Sequence, residues 1–124
     1  MNLLIRTLFV NAATSGLAGA ALAVGFAPLS DWLGIPDWTS LVLGIGLILF
    51  AVQVVRVARS PHRPQVIQVV GADVAWVVGA ATVILLFPGS MSTVGLWALG
   101  GVTAGVALFA VLQTVGLRRA EATA

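Results

Sequence analysis

Val66–Pro88 reads VIQVVGADVAWVVGAATVILLFP, an apolar run with a single carboxylate, Asp73, well inside it. About 20 predominantly apolar residues suffice for a helix to cross a bilayer, so this run is long enough to span one. An ionised carboxylate near the centre of a lone spanning helix costs roughly 2.5–3.5 kcal/mol on insertion scales. The surrounding Val, Ile, Leu, Phe and Trp offset that cost, and Asp73 must face protein or water rather than lipid. At helical spacing Asp73 shares a stripe with Val66, Val69, Trp76, Val77 and Ala80. Gly71, Ala75 and Gly79 lie on nearly the opposite face, where a second backbone could approach closely. Two contact faces on one helix place it inside a bundle.

The rest of the chain extends this pattern. Of 124 residues, 60% are hydrophobic and only 8% charged, against about a quarter charged in a soluble domain. That balance predicts a single all-α domain spanning the membrane, with helices at approximately 3–29, 40–57, 66–88 and 93–117. The first run resembles a signal peptide in having Arg6 and then Ala21-Leu22-Ala23. Asn11, Thr14 and Ser15 interrupt its core, however, and its hydrophobicity continues past that site, so a retained helix is expected. Pro28 with Ser30-Asp31 is expected to end it. Trp32 and Trp38 suit an interfacial aromatic belt, and Asp37 or Thr39 is placed to cap the second helix. Pro64 suits the first turn of the third helix, and Ser90 or Ser92 can cap the fourth. Short connections imply an antiparallel bundle of four transmembrane helices, each packed on its sequence neighbours.

All six basic residues are arginines, and they alternate with the helices. Arg6, then Arg56, Arg59 and Arg63, then Arg118 and Arg119 all fall on one side, while the other two connections have none. Cytoplasmic loops carry such an excess, which places both termini in the cytoplasm of a multi-pass protein of the cell inner membrane. Because the arginines sit at the ends of apolar runs, they are read as orientation signals and not as a nucleic-acid surface. The halves also echo one another. Gly19-Ala20-Ala21 and Gly79-Ala80-Ala81, Pro28 and Pro88, Gln53 and Gln113, and Arg59 and Arg119 are separated by the same interval. Two helical hairpins of the same orientation, a parallel repeat, would produce this.

Counted at 1.5 Å per residue from the arginine ends, Asn11 lies about 10 Å deep, Gln53 about 9 Å, Asp73 about 12 Å and Gln113 about 7 Å. Each helix therefore contributes one polar side chain to a candidate intramembrane polar site. Asp73 could serve a proton, a cation or a polar substrate there, with the amides orienting it. Alternatively Arg6 or Arg56 could reach inward as an ion-pair partner, or the layer could be a hydrogen-bond network that sets helix register. Ala12, Gly16 and Ala20 on the first helix, and Gly101 and Gly105 on the fourth, are read as close packing within the bundle rather than as a homo-oligomer face. Trp76, beside Asp73, could line a ligand pocket, but is read as core or lipid-facing. His62, the sole histidine, is expected to be a solvated loop residue, without the partner ligands a metal needs. With no cysteine, no Ser/His/Asp grouping and no cofactor motif, no enzymatic constellation appears.

Asn11 in the first helix, Asp73-x-x-Trp76 in the third, and Gln113 with Gly116-Leu117-Arg118-Arg119 in the fourth resemble a broad group of small four-helix bacterial integral membrane proteins of unassigned activity. The resemblance covers the whole chain and implies the fold. Small multidrug-resistance exporters differ in carrying a membrane-embedded glutamate on the first helix, which here has no acid. Dual-topology fluoride channels break the third helix with a Thr- and Phe-rich segment, of which Phe87–Thr93 is a superficial echo, and the arginine bias opposes dual topology. The expected role is a non-enzymatic structural or accessory protein that binds membrane lipid, a second copy or another membrane protein. A small oligomeric transporter or channel working through Asp73 is the alternative.

Overall fold

The computed structural model describes residues 2–122, and among these the chain is helical with no strand. The order is α1 Asn2–Val24, α2 Phe26–Leu33, α3 Asp37–Arg59, α4 Arg63–Leu86, a 3₁₀ turn Pro88–Ser90, and α5 Thr93–Ala122. Four of these, α1, α3, α4 and α5, are long and apolar enough to cross a membrane. Between 11% and 28% of each span's apolar window is buried inside the chain, so most of that apolar surface faces outward, as a lipid-exposed bundle requires.

The first apolar run is not one helix to Leu29. It stops at Val24 and restarts as α2, with Pro28 in the first turn of the new helix. Pro is tolerated there because the amide it lacks would have no intrahelical partner. Ser30, expected in a turn, is a buried α2 residue whose Oγ donates to Ser40 Oγ at 2.6 Å, tying α2 to α3. Gly34 ends α2 in the left-handed region at φ 72°, and the N–H groups of Gly34 and Ile35 both reach the Ser30 carbonyl. Only glycine adopts that backbone at no steric penalty.

Helix α3 begins earlier than expected, at Asp37. Pro36 is its N-cap, and neither Asp37 nor Thr39 supplies a capping bond. Ser92 does cap α5, its Oγ accepting the Gly95 N–H at 3.0 Å. The same hydroxyl donates to the Trp32 carbonyl at 2.8 Å, and the Ser92 N–H donates to the Leu33 carbonyl. One serine thus serves the end of α2 and the start of α5. Helix α4 begins at Arg63 with Pro64 in its first turn, and α5 runs beyond Leu117 to Ala122.

Helix α1 packs antiparallel on α3 and also on α5, while α4 packs on α5. Lipid tails are as apolar as Leu, so close approach and buried hydrogen bonds hold such a bundle, not water exclusion between helices. The close approaches are at glycine. A Cβ on Gly44 would lie 2.6 Å from the Ala23 amide nitrogen and 2.7 Å from the Gly19 carbonyl. One on Gly116 would lie 2.8 Å from the Leu4 amide nitrogen. Gly16 also packs, with Ala51 3.5 Å from its Cβ position, but Gly101 and Gly105 look onto open space, contrary to the expected packing role. Gly71 and Gly79 likewise meet nothing within 4 Å, so the small-residue face of α4 is not a helix contact.

The buried apolar core, Leu4, Leu8, Val54, Val57, Val66 and Val69 among others, lies toward the end of the bundle where α1 and α4 begin and α3 and α5 finish. The six arginines gather there, with Arg63 paired to Glu121. At the other end stand Asp31 and Asp37 with Trp32, Trp38 and Trp97, all three indoles well exposed. Charged arginine and aromatic ends bracket the apolar spans as two membrane interfaces would.

Candidate functional site

Polar side chains from three helices meet in the interior. Asn11 of α1, Asp73 of α4 and Gln113 of α5 are 1%, 3% and 0% exposed. The Asn11 Nδ2 group donates twice, to Asp73 Oδ2 at 3.0 Å and to Gln113 Oε1 at 3.0 Å. Gln113 Nε2 closes the ring by donating to the same Asp73 Oδ2 at 2.8 Å. The Ser15 hydroxyl donates to Asn11 Oδ1 at 3.2 Å, so both N–H donors and the carbonyl oxygen of the Asn11 side chain are engaged. A carboxylate accepts and does not donate, which obliges both amides to turn their nitrogens toward Asp73.

The helical stripe around Asp73 is as the sequence predicts, with Val66, Val69 and Ala80 buried beside it and Trp76 partly buried. Gln53 does not join the layer. The buried face of α3 is formed by Ser40, Gly44, Ala51, Val54, Val57 and Ala58 against its neighbours, and Gln53 lies about 130° round the helix from the centre of that face, exposed. Arg6 and Arg56 are exposed too, and among the described residues no ion pair involves Asp73. The partners of Asp73 are the neutral amides of Asn11 and Gln113 and not the guanidinium of Arg6 or Arg56, the alternative raised from the sequence.

One turn further along α4, Trp76 lines a groove. Helices α3 and α4 are joined by a short loop at the arginine end but scarcely touch along their length. Between them, toward the tryptophan end, lies an open cavity of about 550 Å³. Leu43 of α3, Ala75, Trp76, Gly79 and Val83 of α4, Met91 just before α5 and Leu99 within it line it, an almost wholly apolar wall. Pockets of some 300–1,000 Å³ with apolar walls are the size that bind small ligands. The groove exists because α4 presents small side chains here and no helix closes over them. The signals in sequence were Trp76 beside Asp73, a residue able to line a pocket, and the Gly71/Ala75/Gly79 stripe, read as a helix contact. The indole Nε1 of Trp76 and the Oγ1 of Thr103 are buried with no hydrogen-bond partner among the described residues.

His62 lies exposed in the α3–α4 loop, its Nδ1 2.9 Å from the Ser60 carbonyl. Among the described residues no three His, Cys, Asp or Glu side chains gather as a metal site would need.

Fold and site together define an all-helical chain with the four long apolar helices of a multi-pass membrane protein and a buried carboxylate–amide ring joining three of them. Comparison with protein-family models, with curated proteins and with solved structures finds no match to the chain.

Proposed function

We propose that this chain is a non-enzymatic accessory protein of a bacterial inner membrane that binds a lipid or a membrane partner within the bilayer. Both termini lie in the cytoplasm in this reading, because the arginines collect at the end where α1 begins and α5 finishes. The observation that carries the reading is the apolar groove between α3 and α4, open toward the bilayer beside a polar layer whose amides are already engaged with one another. The ring locks α1, α4 and α5 in register, while α3 stands apart from α4 and leaves room for an apolar guest. The two-hairpin repeat belongs to the same reading: Pro28 and Pro88 each fall in the first turn of a short helical piece after a long span.

The test is photo-crosslinking of the full chain in bilayers containing a phospholipid with a photoreactive acyl chain, followed by mapping of the adducts. Adducts concentrated on Leu43, Ala75, Gly79 and Val83 support the reading. Adducts spread evenly over outward residues such as Leu49 and Val111 count against it.

A second reading, a small oligomeric transporter or channel, is favoured by one observation: among the described residues no cation pairs with the Asp73 carboxylate. Proteoliposomes that move protons or monovalent cations, and lose that flux on Asp73→Asn, would establish it in place of the first.

A further inference from the structure

At the arginine end a second, smaller cleft of about 230 Å³ lies between α4 and α5. Arg63, Arg118 and Glu121 form its charged rim, and Ile67, Val70 and Leu117 its apolar floor. Arg63 and Glu121 pair through a single guanidinium nitrogen, Nη1. Arg118 takes part in no ion pair among the described residues. The rim therefore carries one positive charge in excess, directly above a greasy surface.

We infer that this cleft holds the phosphate of an anionic phospholipid from the leaflet at the arginine end. Arg118 presents its planar fork to the phosphate oxygens, and Ile67, Val70 and Leu117 receive the first methylenes of the acyl chains. Guanidinium geometry matches phosphate in two parallel hydrogen bonds. Basic pockets between transmembrane helices at the cytoplasmic surface suit acidic headgroups for this reason. Free phosphate would draw nothing from the apolar floor, so the combination of fork and floor selects a lipid. Glu121 is the counterweight, because while it holds Arg63 the cleft offers one arginine and not two.

The inference rests on the membrane placement argued above and not on the α3–α4 groove. The test is run on the full chain in nanodiscs of mixed phosphatidylglycerol and phosphatidylcholine, with native mass spectrometry counting the retained lipid. Both faces of a nanodisc offer both lipids, so an empty groove or a reversed topology would leave the result standing. The wild type is expected to retain phosphatidylglycerol preferentially. Arg118→Gln should lower that preference about fivefold, which is what one arginine near an anionic surface is worth. Arg118→Lys should keep part of it, and Glu121→Gln, which frees Arg63, should raise it. Arg6→Gln, at the same end but outside the cleft, should change nothing. Equal retention by wild type and Arg118→Gln would overturn the assignment. An equal loss in Arg6→Gln would overturn it too, by showing diffuse surface charge, and displacement by excess inorganic phosphate would show a free-anion site. Should Arg118→Gln fail to fold, Glu121→Gln decides alone: no gain in retention means no lipid site.

Discussion

Asn11 on the first span and Asp73 on the third are joined by a 3.0 Å hydrogen bond, although α1 and α4 share little other contact. Both helices begin at the arginine end, so the bond links two parallel spans across the bundle, with α5 bridging them through Gln113. The ring is a cross-brace in a place where helix surfaces do not do the holding.

That arrangement distinguishes two substitutions at one position. Asp73→Asn keeps an oxygen that can accept from Asn11 and Gln113, and it is expected to leave the fold nearly as stable. Asp73→Leu removes the acceptor and strands two buried donors, each costing about 1–3 kcal/mol when left unmade. Reversible unfolding in mixed detergent micelles would separate the two variants, and equal stability would show that the ring is not under strain of satisfaction.

Asn11→Ala and Gln113→Ala should be non-additive, since each removes a bond the other shares. Coupling between polar residues in membrane helices averages about 0.6 kcal/mol and reaches roughly 1.7. Gln53→Leu, on the exposed face of α3, should stay within about 0.5 kcal/mol of wild type and show no coupling to either. A double-mutant cycle measures all three, and coupling of Gln53 to Gln113 would place it back in the layer.

Gly44→Ala would press a methyl group into the Ala23 amide and the Gly19 carbonyl, and overpacking of this kind costs about 1–3 kcal/mol. Gly101→Ala and Gly105→Ala meet open space and should be neutral or gain about 0.5–1 kcal/mol from better helix propensity. Thermal unfolding of the three variants in one detergent is the check. Destabilisation by the α5 substitutions in bilayers alone would reveal a second copy packed on that face.

Ser92→Ala removes the α5 cap and the hydrogen bond to the Trp32 carbonyl together. Loss of an N-cap alone typically costs about 1 kcal/mol, so a total above that value is expected. Hydrogen exchange should then rise at Gly95 and at the Gly34 and Ile35 amides alike. Exchange confined to α5 would mean the link to α2 carries no stability.

Composition and hydropathy alone determined that the chain is all-helical with four helices long and apolar enough to cross a membrane, because hydropathy and helix length are properties of local sequence. The depth of Asn11, Asp73 and Gln113 followed as well, since depth along a helix is only a count of residues. Which way each side chain points was a matter for the tertiary structure. Gln53 matches the others in depth yet faces outward, because the rotation of α3 is set by Gly44 and Ala51 seating against α1. The same holds for the Gly71/Ala75/Gly79 stripe: small residues permit close approach, but only the placement of α3 decided that this face would border an open groove. Ser92 reaching back to α2 and the break at Gly25 were likewise invisible, because both depend on partners brought near only when the helices pack.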